Sequence, residues 1–417
     1  MLDAEDIKKI SCKFAKLRAG ALFMSNRQKK IELAFAISSF VSHDIDYIVW
    51  IAPGRYLTSA SYVDDIKNFA GKNASSLCFF SIENLSLNDL NYLRLYELAC
   101  MYRVLCVVDG SVAIKNAEAG RTRRLLAMKH KFAYRLILSE TPLTCGILDL
   151  YTQFYFLNPL ILNMTQTQFR HTFLPVSIGD FDVIKRISTP KDEQKLIKMI
   201  RPYILICDFT NNVDITYHDY NFELTAPEAK VYQQEKEAFL NRRERVAFLQ
   251  VVQHFQYLYT LCKRKVDTLF SLIDDILSKN EKVIIYTKFL SEIRFLKESG
   301  GLRGRNFVVM SGNSNKIRAL KRFERNVNIM ICTYKVEIPC INVKNCNNII
   351  FFTQTFDYKD KLQIVSSCYG GDGWKLDIYD FWVNTRLENL IKNNLGRKKN
   401  VLENICSVMS RSEALNL

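Results

Sequence analysis

Val107-Val108-Asp109-Gly110-Ser111-Val112-Ala113-Ile114-Lys115-Asn116 decides how this chain reads, together with Leu136-Ile137-Leu138-Ser139-Glu140-Thr141-Pro142 further along. Each is a short apolar run that ends in polar residues. That is the pattern of a buried parallel strand whose carboxyl end delivers side chains to a crevice. A nucleotide hydrolase needs, at such a strand end, one carboxylate for magnesium and a second group to orient the attacking water. Asp109 supplies the first, and Gly110 stands at the second. The expectation is a nucleotide-binding framework with part of its chemistry missing.

The same alternation extends in both directions. Gly20 to Met24, Tyr47 to Pro53, Leu77 to Ile82, and residues 104–109 and 135–139 read as strands. Helical patterns lie between them, at 59–69 and at Leu85 to Met101 among others. Strands alternating with helices at this spacing predict a doubly wound, mostly parallel sheet. The second half repeats the pattern: strands at Lys282 to Thr287, Phe307 to Gly312, Ile329 to Thr333, Asn348 to Phe352 and Leu376 to Trp382, with helices at 289–299 and Lys316 to Arg325. The predicted fold is therefore α/β, with two tandem RecA-like doubly wound lobes over residues 1–165 and 266–417. Residues 166–265 read as a helical and irregular bridge, made basic by Arg242, Arg243, Arg245, Lys263, Arg264 and Lys265.

Between the first strand and its helix lies Ser25-Asn26-Arg27-Gln28-Lys29-Lys30. This is the place for a phosphate loop, which uses glycines so that backbone N–H groups can face phosphates, a Lys for charge, and Ser or Thr for magnesium. The loop has no glycine. Lys29 stands at the Lys position and Lys30 at the hydroxyl position, and no G-K-[ST] occurs anywhere in the chain. An ordinary strand–helix turn with solvated lysines has the same appearance.

Composition narrows the classes. A chain of 417 residues with 48% hydrophobic and 12% aromatic content is globular and too long for one ordinary core. A formal charge of +15 favours a polyanionic partner, nucleic acid first and DNA before RNA. The 12 cysteines are scattered through apolar runs without a C-x-x-C pair, and the 5 histidines lack ligand spacing. Reduced thiols, no metal site and no cofactor are expected. The amino terminus does not look like a signal peptide, and no apolar run approaches the ~20 residues of a membrane span, so an intracellular, cytoplasmic or nuclear protein is expected. Lys-, Asn- and Ile-rich usage suits an AT-rich genome such as that of a virus or mobile element.

Gly20-Ala21-Leu22-Phe23-Met24, Ile48 to Pro53, Val107-Val108-Asp109, Ala113 to Asn116 and Arg121-Thr122-Arg123-Arg124 together resemble the first motor lobe of the Swi/Snf-type ATPases of helicase superfamily two. The strongest segment is Leu138-Ser139-Glu140-Thr141-Pro142-Leu143-Thr144 with Leu148 to Pro159. It is similar to the family's L-T-G-T-P strand end and the L-x-E-L-W-x-L-x-x-F-L-x-P helix after it, with Tyr151 in place of Trp. The second half resembles the second motor lobe through Ser311-Gly312, Arg318, Phe323, Thr333, Gln363 and Asn384 to Glu388.

The resemblance implies ATP hydrolysis in a cleft between lobes, and the chain departs from it at the phosphate-handling positions. Motif I retains only Lys29, and motif II reads Asp109-Gly110 for Asp-Glu. Motif VI keeps Gln363 but has Ser367 and Gly370 for its arginines. The Gly-rich turn of motif V is Lys335 to Cys340. An arginine finger alone is worth ~10³–10⁵ in rate. The implied reading is a catalytically inactive helicase- or translocase-like protein that binds nucleic acid or serves as a subunit of a DNA-processing complex. Candidate contacts are Arg55, Lys115, Arg121, Arg123 and Arg124 in the first lobe, and Lys316, Arg318, Lys321 and Arg322 in the second. Two alternatives remain open. One is a protein-binding scaffold in a replication, transcription or defence-related complex. The other is a DNA-stimulated ATPase with an unorthodox site built on Lys29 and Asp109.

Overall fold

The computed structural model describes residues 3–71, 76–144, 146–174, 176–178, 184–186, 188–208, 214–240, 248–302, 304–312, 316–334, 346–367 and 375–407. The chain divides into two compact units, Met1–Thr210 with Lys398–Leu417, and Asn211–Arg397.

The first unit contains β1 (Ala19–Met24), β2 (Tyr47–Ala52), β3 (Leu77–Ser81), β4 (Val104–Asp109), β5 (Tyr134–Ser139), a short antiparallel pair of β6 (Val176–Ile178) and β7 (Ile184–Arg186), and β8 (Ile204–Asp208). Six of these form one sheet in the order β3-β2-β4-β5-β1-β8, every pairing parallel. β1 and β4 are buried along their whole length, so their side chains are apolar on both faces and do not alternate. The Arg27–Phe40 helix packs Ile31, Ala34 and Ile37 onto one face, where Phe35 stacks on Trp50 at 5.3 Å between ring centroids. Fully burying a side chain of this kind contributes about 1.5–3 kcal/mol.

The second unit contains β9 (Asp214–Phe222), β10 (Val283–Thr287), β11 (Phe307–Met310), β12 (Ile329–Thr333), β13 (Asn348–Phe351) and β14 (Lys375–Val383). They form a second all-parallel sheet in the order β11-β12-β10-β13-β14-β9. Both units are therefore RecA-like α/β lobes. Because every strand in a sheet runs the same way, all carboxyl ends gather on one rim, where a parallel sheet presents its polar side chains.

Two details depart from expectation. The segment 166–265, expected as a bridge, is divided between the units: β8 extends the first sheet alongside β1, and β9 edges the second alongside β14. The helix expected from Leu85 to Met101 is two helices, Asn84–Leu87 and Asp89–Met101. Asn88 between them is extended, and its Oδ1 accepts from the N–H groups of Leu90 at 2.9 Å and Asn91 at 3.3 Å. Asn is a strong N-cap, and here it restarts the helix.

Candidate functional site

Asp109 ends β4 and is completely buried. The next residue, Gly110, is left-handed (φ 73°, ψ 43°), and a Cβ there would meet the Pro53 ring at 3.4 Å. An L-residue costs roughly 1–2 kcal/mol in that conformation. The Glu that the resemblance implies at this position therefore does not suit the turn that the chain makes.

The Asp109 carboxylate is occupied from both sides. The Tyr62 hydroxyl donates to its Oδ2 at 2.6 Å and itself accepts from Trp50 Nε1 at 3.0 Å. The Lys30 ammonium lies 2.9 Å from its Oδ1 and 3.3 Å from Glu140 Oε1, with the lysine side chain 1% exposed. Burial alone would lower the Lys30 pKa; the carboxylates of Asp109 and Glu140 outweigh it and hold the group above its ordinary value. Burial, followed by the facing Asp109 charge, pushes the Tyr62 hydroxyl well up, so it remains a donor.

The resemblance puts Lys30 at the hydroxyl position of motif I, and Glu140 at the Gly of the L-T-G-T-P pattern. Two departures from the family pattern thus meet as one ion pair. The expected candidate, Lys29, is exposed, and its backbone N–H donates to Asn26 Oδ1 at 3.0 Å in the helix cap. The cation at the strand ends is Lys30. Its signal was present in the sequence, because Lys30, Ala34 and Ile37 fall at i, i+4 and i+7, the buried face of the helix. A magnesium–triphosphate does not fit these residues. The carboxylate it needs faces an ammonium, the hydroxyl position carries that ammonium, and the second acidic position is a left-handed glycine.

The segment after β5 is tied down by its own polar groups. Ser111 Oγ donates to Gln153 Oε1 at 2.6 Å, and Gln153 Nε2 donates to the Pro142 carbonyl at 2.8 Å. The Thr144 backbone N–H and hydroxyl both donate to Asp149 Oδ2, at 2.6 and 2.7 Å. Lys115, expected to reach nucleic acid, instead donates to the Thr144 hydroxyl and lies 3.7 Å from Asp149.

Other expected contacts in the first unit are also engaged internally. Arg121 Nε donates to the Ala113 carbonyl at 2.9 Å. Arg124 donates to the Leu85 carbonyl at 2.9 Å, pairs with Asp89 and lies over the Tyr92 ring. Arg55 is half-buried over Tyr56. Arg123 is exposed.

The carboxyl rim of the second sheet carries a denser polar cluster that sequence reasoning missed. Lys265, expected as part of a solvated basic bridge, is 2% exposed. Its ammonium donates to Thr353 Oγ1 at 3.3 Å and lies 4.2 Å from the Phe352 ring centroid. Glu292 accepts from Thr260 and Thr353, and from the N–H groups of Lys288 and Phe289, both at 2.8 Å. Glu388 Oε1 accepts from Gln256 Nε2 at 2.9 Å and the Tyr259 hydroxyl at 3.0 Å, while its buried Oε2 has no hydrogen-bond partner among the described residues. Burial lowers the Lys265 pKa and raises that of Glu388. Of the motif VI positions, Gln363 and Ser367 lie on the Tyr358–Ser367 helix; Gly370 and the motif V stretch Lys335 to Cys340 lie outside the described residues.

The remaining expected contacts lie on the Lys316–Arg325 helix. Arg318, Lys321 and Arg322 are exposed and line a pocket of about 640 Å³ with Asn306, Arg325, Asn326 and Val327. The Lys316 side chain lies outside the described residues. Among the described residues no group of three or more His, Cys, Asp or Glu could hold a metal ion, and no helix is long and apolar enough to cross a membrane.

Fold and site together define a protein of two RecA-like α/β lobes in which Lys30, Asp109 and Glu140 close on one another at the carboxyl rim of the first sheet. The chain is similar to the Sulfolobus solfataricus SWI2/SNF2 ATPase core in complex with dsDNA, at 18% identity over 99% of this chain and 94% of that chain, with a TM-score of 0.41. It is also similar to the Sulfolobus solfataricus SWI2/SNF2 ATPase core domain, at 19% identity over 99% and 91% of the two chains, again with a TM-score of 0.41. No family model and no curated protein matches.

Proposed function

We propose that this chain is a hydrolytically inert, Swi/Snf-like two-lobed protein that binds nucleic acid, DNA in the first instance, and acts inside the cell as part of DNA processing. The observation that carries the inert half is the Lys30 ammonium 2.9 Å from Asp109, paired also with Glu140. Positive charge already faces the one acidic group that would bind a metal. Displacing it would strand an ammonium and two carboxylates in a buried site, each costing several kcal/mol. The binding half is supported by the +15 charge, and phosphate contacts of that kind give salt-dependent, largely sequence-independent affinity.

Calorimetry with ATP, or a non-hydrolysable analogue, and magnesium tests the first half, with and without duplex DNA. No heat of binding and no phosphate release are expected. Magnesium-dependent turnover that disappears on changing Lys29 or Asp109 would restore the ATPase alternative.

One observation favours a second reading, a protein-binding subunit of a replication, transcription or defence-related complex. Leu90, Leu93 and Met101 share a face of the Asp89–Met101 helix at 69%, 48% and 74% exposure, with Leu87 beside them at 81%. Large apolar side chains on an exposed helix, here interspersed with Arg94 and Glu97, suit an interaction surface. Co-purification of a partner after nuclease treatment, lost on changing Leu90 and Leu93 to Ser, supports that reading.

A further inference from the structure

The Lys316–Arg325 helix has two unlike faces. Ala319 and Phe323 point into the core of the second unit. Arg318, Lys321, Arg322 and Arg325 fall at i, i+3, i+4 and i+7, all exposed, and all line the pocket described above. Like charges at these spacings repel across one helical face. None of the lining residues is acidic, and among the described residues Lys321, Arg322 and Arg325 form no ion pair. The mutual repulsion of Lys321, Arg322 and Arg325 therefore costs the free protein and is relieved by an anion.

The pocket's place in the fold separates it from the positions assigned by resemblance. Asn306 immediately precedes β11, and Asn326 and Val327 lead into β12. The pocket opens at the amino ends of these strands, on the rim opposite Lys265, Glu292 and Glu388. It also lies at the sheet edge, because β11 has a single neighbour. A helix carboxyl end ordinarily repels anions. Here Lys282 donates to the Phe323 carbonyl and, at 3.0 Å, to the Glu324 carbonyl, so another ammonium covers the exposed dipole end.

We propose that this pocket binds consecutive phosphates of a nucleic-acid strand. The proposal rests on the nucleic-acid reading above and gives it a site. The cationic stripe rises about 10 Å along the helix, the axial length of about three consecutive phosphates of one strand. One inorganic phosphate spans only part of it. The Asn306 and Asn326 amides add neutral donors at one end, and none of these groups selects a base, so the grip is on the backbone.

The test uses the full chain, a fluorescently labelled duplex and its single strand, and salt from ~50 to ~200 mM. The variant is R318Q/R322Q/R325Q, with R318K/R322K/R325K as the charge-preserving control and thermal unfolding as the check on folding. The Gln variant is expected to bind at least ~10-fold more weakly near 100 mM salt, with the slope of log K against log salt reduced by about 2–3. The Lys variant is expected to retain most of the slope, since a phosphate accepts either cation. Wild-type binding with a steep slope that the Gln variant leaves unchanged overturns the pocket and leaves the nucleic-acid reading standing. No salt-dependent binding by the wild type overturns that reading itself. Displacement of the strand by inorganic tripolyphosphate at equal phosphate concentration overturns the assignment to a polymer.

Discussion

Each sheet buries a lysine at its carboxyl rim, and the two lysines are held in different ways. In the first unit Lys30 lies 2.9 Å from one carboxylate and 3.3 Å from another, and its pKa rises despite burial. In the second, Lys265 meets a hydroxyl and an aromatic face, the carboxylates of Glu292 and Glu388 act from further off, and its pKa falls. Burial removes water from both ammonium groups, so direct contact with a carboxylate decides the sign. The first arrangement is a matched ion pair, closed around the place where the resemblance puts a metal. The second is a hydrogen-bonded cluster with a charge it would rather shed.

The largest test of this contrast is Lys30→Met. Removing one partner of a buried pair strands the Asp109 charge, and the expected loss is about 3–5 kcal/mol, read from the urea midpoint. Adding Asp109→Asn should recover a good part of it. A loss under about 1 kcal/mol would put Lys30 on a par with Lys265 and end the distinction.

Lys265→Met should cost about 1 kcal/mol near neutral pH, the scale of one lost hydrogen bond. The pH dependence gives the sharper comparison. The folded pKa of Lys265 is depressed, so the unfolded chain binds more protons, and the wild type should gain on K265M as pH rises toward 10.5. The folded pKa of Lys30 is raised, so its contribution is complete below 10.5 and declines only as pH climbs through the folded value. Unfolding titrations of the two variants should therefore diverge from wild type in opposite directions.

Glu388→Gln is the smallest expected change, within about 1 kcal/mol at neutral pH, because the carboxylate already lacks a donor at Oε2. Burial raises its pKa, so the wild type should lose stability relative to E388Q as pH rises from 4.5 through the folded value. A large destabilisation confined to pH above the folded value, where the wild-type carboxylate is ionised, would show that the charge is needed in that cluster.

The buried strands were legible because an apolar run bounded by polar turns has few other uses. The Lys316–Arg325 helix was legible to both ends for the same kind of reason, a regular helical pattern. β9 was not legible. It is an edge strand in which exposed and half-buried residues alternate, with polar His218 and Asp219 at its centre. What holds it is a nine-residue register with β14, more than 150 positions away in the chain. β8, Ile204–Asp208, falls inside the stretch that reads as a helical and irregular bridge, since a short apolar run fits either state. The candidate site was half legible. Absent glycines and acids appear in a sequence, whereas the meeting of Lys30 with Glu140 brings together residues 110 positions apart. The internal use of Lys115, Arg121 and Arg124 was hidden for a similar reason, because a basic residue looks the same whether it faces solvent or a nearby carbonyl.

Gly110, Lys30 and Glu140 carry a consequence for how this protein lives. A tethered amine stands between the two carboxylates, where a soluble cation would otherwise balance them. On the inert reading proposed above, folding is not linked to a ligand at that place, and chelation, starvation or a swing in cellular energy charge removes nothing from it. Its first lobe should keep one shape in a fed cell and a starved one.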